Sequence, residues 1–237
     1  MELPLDINGL TVLHGKKTVF ENLSLRVNPG EIFGLVGLNG AGKTTMMKAA
    51  LSLLEPESGT VRFFGTSHDD PESRRQVSYL PENFHPPLSM TGVQFLRLSL
   101  GFHNLKFVRD QADDLARAID LAPGALDQRI AALSKGMAQK IGLLATFLTN
   151  CPLLILDEPM SGLDPRARIR LKTQMLAYRA QNNAIFLSSH ILTDLEELCD
   201  RIAVLHNGVL LYSGGPAALC EQQNETTLER AFISIIA

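Results

Sequence analysis

The 237-residue chain lacks tryptophan, has three cysteines, and contains no apolar run near the roughly 20 residues needed to cross a bilayer. Cys151, Cys199 and Cys220 are widely spaced without metal-ligand spacing, which favours unpaired thiols in a reducing compartment. The formal net charge of −3 excludes a global basic field, so no nucleic-acid partner is expected. Residues 1–5 lack a basic stretch followed by an apolar run, so we expect no secretory signal and a cytoplasmic location.

Short apolar runs alternate with helical patterns along the chain, which predicts an α/β fold. Residues 5–12 and 19–27 are expected to form an antiparallel hairpin, 31–36 a buried strand and 43–53 a helix. Further strands are expected at 60–64, 153–156, 184–187, 202–205 and 209–212, building a parallel core flanked by helices. Between about 83 and 132, helical patterns such as 91–102 and 109–120 replace strands, which predicts an inserted helical subdomain.

Residues 37–44 read Gly-Leu-Asn-Gly-Ala-Gly-Lys-Thr, the phosphate-loop pattern, between a predicted strand and a predicted helix. The glycines permit a backbone that curls around phosphates, so that N–H groups and the helix N-terminus face the anion. Lys43 adds a mobile positive charge, and the Thr44 hydroxyl is placed to bind Mg²⁺. An ordinary glycine-rich turn is the alternative, which the strand-turn-helix context disfavours. The predicted ATP-binding set is Gly37, Leu38, Asn39, Gly40, Ala41, Gly42, Lys43, Thr44 and Thr45.

Two carboxylates follow the apolar run at 153–156, at the strand end where parallel sheets bind ligands. Asp157 suits Mg²⁺, which prefers oxygen ligands, and Glu158 is a candidate base for water attacking the γ-phosphate. Alone, such a pair is most often a pair of solvated surface acids. A nucleotide bound at the phosphate loop would give Asp157 a metal ion to bind and Glu158 a phosphate at which to activate water.

Three further motifs bring a resemblance to a known family. Residues 133–137, Leu-Ser-Lys-Gly-Met, resemble the signature sequence of ABC ATPases, and residues 161–164, Ser-Gly-Leu-Asp, resemble the D-loop. His190, after two serines, resembles the switch histidine. The order and spacing of these motifs match the family over essentially the whole chain. The implied fold is a phosphate-loop NTPase core with an antiparallel β subdomain and an inserted helical subdomain.

The resemblance implies a head-to-tail dimer that sandwiches ATP between the phosphate loop of one subunit and the signature of the other. Ser134 and Gly136 would then contact the γ-phosphate in trans, which suits a hydroxyl and N–H groups at a helix start. Seen alone, Leu-Ser-Lys-Gly is simply a helix cap. By the same resemblance, His190 is expected to join Glu158 and Lys43 in catalysis, and Asp164 to act across the dimer interface.

Four positions depart from the family pattern, and two of them, Lys135 and Met137, replace the usual glycine and glutamine of the signature. His14 stands where an aromatic residue usually stacks on adenine; His14 could stack less strongly, and Val19 and Phe20 are nearby alternatives. Glu82 replaces the usual glutamine that touches Mg²⁺ or the attacking water, so we include Glu82 with Thr44 and Asp157 as a metal ligand. Its carboxylate would either strengthen ion binding or stay partly protonated beside Asp157 and Glu158.

The expected function is an ATP-hydrolysing subunit of an ABC transporter that pairs with a second copy and a separate membrane permease. The tail at 228–232 and the signature spelling resemble an export-type branch, which places the chain peripherally on the inner face of the membrane. Phe84, Leu88, Phe95 and Phe102 could form part of a permease groove, although internal packing explains most such side chains. A soluble ABC ATPase acting on ribosomes, DNA or cofactor assembly is the alternative, and a weakly hydrolysing regulatory protein is a third reading.

The resemblance also divides the chain. Residues 1–82 and 152–215 are expected to form the catalytic core with its β subdomain, approximately 83–151 the helical subdomain with the signature, and 216–237 a C-terminal helical tail. The transported substrate is not encoded in these motifs, since cargo specificity belongs mainly to the permease.

Overall fold

The computed structural model describes residues 2–15 and 17–237. The strands are β1 Leu5–His14, β2 Lys17–Val27, β3 Ile32–Val36, β4 Ser58–Phe63, β5 Thr66–Ser67, β6 Val77–Leu80, β7 Leu153–Asp157, β8 Ala184–Ser189, β9 Arg201–His206 and β10 Val209–Gly214. The helices are α1 Lys43–Ala50, α2 Pro71–Arg74, α3 Gly92–Phe102, α4 Arg109–Ala118, α5 Lys135–Leu148, α6 Pro165–Arg179, α7 Leu192–Leu198, α8 Pro216–Gln223 and α9 Leu228–Ile236. Two 3-10 turns lie at Pro123–Asp127 and Ile130–Ala132.

The central sheet has six strands in the order β10-β9-β3-β8-β7-β6. Neighbouring strands from β9 to β6 run parallel, and β3, β7 and β8 are buried along their whole length, as expected for a sheet covered on both faces. The predicted α/β fold with a parallel core is confirmed. One strand of this core, β6, was not predicted.

The edge strand β10 departs from the parallel core, because it pairs antiparallel with β9. Its direction follows from the two residues that join the strands. Asn207 and Gly208 have φ angles of 46° and 79°, the left-handed backbone that closes a tight hairpin. So short a connection leaves no room for the crossover that a parallel neighbour needs.

A second, antiparallel sheet packs against this core in the order β2-β1-β4-β5, so the predicted hairpin is confirmed. The helix after the phosphate loop is shorter than predicted, ending at Ala50 instead of residue 53. Ser52 has a φ of 55°, a left-handed backbone that a continuing helix cannot accommodate. The helix therefore ends at Ala50, and the chain turns toward β4.

The stretch between β6 and β7 holds α3, α4 and α5, and within it an isolated antiparallel bridge joins Thr91 and Arg129. Thr91 and Gln94 form a reciprocal capping box that fixes the start of α3. The division into core, helical subdomain and tail stays a prediction, and residue 1 lies outside the described residues. Among the helices of residues 2–15 and 17–237, none combines the length and apolarity that spanning a membrane requires.

Candidate active site

A cavity of about 860 Å³ lies at the carboxyl ends of β3 and β7, beside the start of α1. Its lining brings together residues 38–45 with His14, Glu82, Asp157, Glu158 and His190. Most of the residues predicted for ATP and Mg²⁺ thus share one cavity, although they lie far apart in the sequence. This is the edge at which parallel sheets expose ligand sites.

The phosphate loop is held close to the sheet by its glycines. A Cβ added to Gly37 would lie 2.6 Å from the Leu205 carbonyl oxygen, and Gly42 has a φ of 107°. Gly42 is also the N-cap of α1, which has no side-chain cap. The first N–H groups of α1 therefore lack a side-chain acceptor, which suits an anion such as phosphate.

Lys43 folds back over the same loop. Its ammonium group donates to the carbonyl oxygen of Gly37 at 2.8 Å and lies 3.9 Å from Glu158 Oε1. The side chain is buried, so a positive charge is held between the loop and the Glu158 carboxylate. An incoming phosphate would offer this ammonium group stronger acceptors than a carbonyl oxygen.

Two of the predicted magnesium ligands, Thr44 and Asp157, lie together, and Ser188 supports Asp157 from its other side. Thr44 Oγ1 donates to Asp157 Oδ2 at 2.7 Å, and Ser188 Oγ donates to Asp157 Oδ1 at 2.5 Å. Asp157 is fully buried. The described residues contain no group of three or more His, Cys, Asp or Glu side chains arranged to hold a metal. The small donor set fits Mg²⁺, which commonly binds one or two protein oxygens together with substrate phosphates and water.

Glu158 occupies the turn directly after β7 with a φ of 50°, an uncommon backbone for a residue other than glycine. Its backbone N–H donates to Ser188 Oγ at 3.0 Å, and its Oε2 lies 2.8 Å from His190 Nδ1. The carboxylate is buried, whereas the His190 ring is 54% exposed on the cavity side. This geometry pairs a sheltered proton acceptor with an accessible ring that can hold it in place.

The other end of the cavity is formed by His14 at the end of β1, by Val19 and by the hairpin turn at residues 206–208. Of the two proposed alternatives for packing on a base, Val19 lines the cavity. Phe20 is 1% exposed and packs in the core instead. Asn207 Nδ2 and His206 Nε2 lie 3.0 Å apart. Sequence reasoning passed over this turn, although Asn-Gly between two predicted strands is a hairpin signature.

Glu82 lies exposed at the cavity margin, just after β6. On β6 itself, the Tyr79 hydroxyl is buried and has no hydrogen-bond partner among the described residues. Burial raises the pKa of Tyr79, and the charges of Asp157 and Glu82 raise it further. Asp157 and Glu82 thus both lie close enough to Tyr79 for their charges to act on its hydroxyl group.

The signature and D-loop residues lie outside the lining of this cavity. Ser134 is exposed and caps α5 by accepting from the N–H of Met137 at 3.2 Å. Asp164 caps α6 by accepting from the N–H of Ala167 at 2.9 Å, and this hydrogen bond lowers the pKa of Asp164. A Cβ on Gly136 would lie 2.8 Å from the Gly162 carbonyl oxygen. Within one chain, the signature and the D-loop thus contact each other, and neither lines the cavity at the phosphate loop.

Ser188 is the central residue that sequence reasoning missed. Its hydroxyl joins Asp157 to the backbone of Glu158, and it precedes His190 by two residues. The available clue was its position at a strand end beside the histidine. Nothing in the local sequence separates it from Ser189, which instead accepts from the N–H of Ile191.

Comparisons with known proteins give a consistent result. A protein-family model described as ABC transporter matches residues 20–161. An uncharacterized ABC transporter ATP-binding protein of Nostoc is 37% identical over 90% of this chain, which spans 64% of that protein. The bacitracin transport ATP-binding protein BcrA of Enterococcus faecalis is 34% identical over 89% of this chain and 69% of its own length. A solved ATP-binding subunit of an ABC transporter aligns with a TM-score of 0.91 at 32% identity, covering 98% of this chain and 99% of that one.

Proposed function

The chain belongs to the ABC transporter family, and from this premise we propose that it binds and hydrolyses Mg-ATP to drive a separate membrane permease. The observation that carries the proposal is the single cavity shared by the phosphate loop, Asp157, Glu158 and His190. Without the Glu158 carboxylate, the same elements would bind a nucleotide but would lack a base for its hydrolysis. Glu158 and its contact with His190 favour hydrolysis over a purely regulatory role.

Each group has a distinct task in the proposed reaction. The uncapped N-terminus of α1 and Lys43 would bind the phosphates, and Thr44 with Asp157 would hold the metal ion. Bound Mg²⁺ would neutralise charge on the β- and γ-phosphate oxygens. Glu158 accepts the proton of the attacking water, while His190 holds that carboxylate and faces the γ-phosphate position.

We further propose that two copies close head to tail on two ATP molecules. Ser134 and Gly136 do not line the cavity of their own chain, and Ser134 is exposed at the N-terminus of α5. A second copy would bring this helix start to the γ-phosphate, where its N–H groups would complete the site. Asp164 would lie at the same interface because Gly136 packs on the adjacent turn.

The helical stretch supplies a surface for the proposed permease. Leu88 and Phe102 are 64% and 76% exposed, whereas Phe84 and Phe95 pack edge to face with ring centres 5.4 Å apart. The first pair is thus free for a partner, and the second pair belongs to internal packing. The sequence resemblance favours export. Such a subunit would act on the cytoplasmic side of the membrane, where ATP is available.

The proposal is tested with tagged Glu158→Gln protein, which should bind Mg-ATP and remain closed because hydrolysis is slowed. Detergent-solubilised host membranes are incubated with this protein, and Lys43→Ala protein serves as the control. We expect stoichiometric recovery of a multi-helix membrane protein with the first variant and much less with the second. Recovery of soluble or ribosomal proteins alone would replace the transporter role with the alternative one. Absence of Mg-dependent ATP hydrolysis by the wild-type protein would overturn the enzymatic part.

A further inference from the structure

Helices α6 and α7 each begin beside a predicted site residue. Asp164 is the N-cap of α6, and its carbonyl oxygen accepts from the N–H of Arg168 at 3.0 Å. On the other side, α7 begins two residues after His190. Any side-chain contact between the first turns of these helices therefore connects the Asp164 turn with His190.

The first-turn contact is between Arg168 and Asp194, and it belongs to a cluster of four charged side chains that also contains Lys172 and Glu197. Lys172 of α6 donates to Asp194 Oδ1 of α7 at 3.0 Å and also pairs with Glu197. Arg168 Nη1 lies 3.8 Å from Asp194 Oδ2. The Asp194 and Lys172 side chains are 9% and 15% exposed, so their attraction is screened much less than that of a surface pair.

The contact between Arg168 and Asp194 is incomplete. Arg168 Nε and Asp194 Oδ2 are both buried, and neither has a hydrogen-bond partner among the described residues. A buried donor and a buried acceptor left unmatched side by side carry a cost that a small approach of the helices would remove. A direct hydrogen bond between the Arg168 guanidinium group and the Asp194 carboxylate would satisfy both atoms, and the 3.8 Å separation of Nη1 and Oδ2 leaves only a short distance to close.

We infer that Asp194 is a positioning residue, which acts through α7 to set His190 against Glu158 and couples His190 to the Asp164 turn through Arg168 and Lys172. This inference rests on the proposed ATPase function of the same site. Asp194 lies in the first turn of α7, and the extended N-cap Ile191 joins that helix to His190, so a shift of the first turn of α7 reaches the histidine through a short segment of backbone. Closing the Arg168 contact pulls that turn toward α6.

The test compares Asp194→Asn and Arg168→Lys with a control, Glu197→Gln. Asp194→Asn removes the shared charge, and Arg168→Lys keeps the positive charge while removing the Nε donor. Glu197 pairs with the same Lys172 but is 66% exposed, so its replacement removes an ion pair without opening the buried contact. We expect about tenfold lower kcat for the two test variants with ATP affinity unchanged, and wild-type values for the control.

A second measurement does not need hydrolysis. The chain has six histidines, so the ring signal of His190 can be assigned in a ¹H–¹⁵N spectrum by its loss in His190→Gln. We expect this signal to shift in Asp194→Asn and Arg168→Lys and to stay in place in Glu197→Gln. The inference is overturned if the His190 signal is unchanged in both test variants, or if kcat and ATP affinity fall together in proportion to lost thermal stability. If Asp194→Asn does not fold, the kcat and the His190 signal of Arg168→Lys decide whether the inference stands. An inactive wild-type protein would overturn the proposed function, while the spectrum would still test the positioning.

Discussion

The hydroxyl of Ser188 lies 2.5 Å from Asp157 Oδ1 and receives the backbone N–H of Glu158 at 3.0 Å. One side chain on β8 thus fixes both acidic residues at the end of β7. It leaves Asp157 Oδ2 to face Thr44 and holds Glu158 in its left-handed turn. The carboxylate proposed to bind the ion and the carboxylate proposed to accept the proton thus share a single support.

Replacing Ser188 with alanine should weaken Mg²⁺ binding to the nucleotide-loaded protein by about tenfold, because groups that orient a metal ligand typically contribute 10- to 100-fold in affinity. The dissociation constant for Mn²⁺, measured by electron paramagnetic resonance in the presence of ATP, provides the readout. Ser78→Ala is the control, since Ser78 is a buried serine on β6 of the same sheet. An equal loss in both variants would assign the effect to general packing.

Replacing Glu158 with glutamine should lower kcat by about 10²- to 10⁴-fold, the usual contribution of a general base, while ATP binding persists. Glutamine keeps the size and the hydrogen bond to His190 but cannot accept a proton. Phosphate release and equilibrium ATP binding are measured in parallel. Glu196→Gln, on the exposed face of α7, is the control. Loss of ATP binding in the first variant would mean that Glu158 supports the fold of the site instead of the reaction.

The local sequence predicted the features that depend on short motifs. It did not predict the features that depend on contacts between segments far apart in the chain. The phosphate loop and the two acids at the end of β7 were predicted because their residue types and spacing carry the chemistry. Ser188 was missed because its role exists only once β8 lies beside β7. The end of α1 was misplaced because Ser52 adopts a left-handed backbone that its residue type does not announce. The roles assigned to the site residues stay predictions.

The three cysteines should react slowly with iodoacetamide at neutral pH in the native protein. Burial raises the pKa of Cys199, Cys151 and Cys220 above the ordinary thiol value, so little of the reactive thiolate is present. Cys199 and Cys151 are buried, whereas Cys220 is partly exposed and should be modified first. Mass spectrometry of the labelled protein over time gives the order, and unfolding in urea is the control that should make all three react. Fast native labelling of Cys199 would contradict the packing around it.

Gly34 in β3 should not accommodate a side chain without a loss of stability. At this position the strand before the phosphate loop packs against the helix after His190. A Cβ there would lie 2.8 Å from Cys199 Sγ and 3.1 Å from Leu195 Cδ2. Gly34→Ala should therefore lower the free energy of unfolding by about 1–3 kcal/mol through overpacking. Gly101 in α3 has nothing within 4 Å of its added Cβ, so Gly101→Ala should stabilise the protein by about 0.5–1 kcal/mol. Urea unfolding measures both. The opposite signs separate steric crowding from any general effect of the methyl group, and a neutral Gly34→Ala would show that α7 can withdraw from β3 without cost.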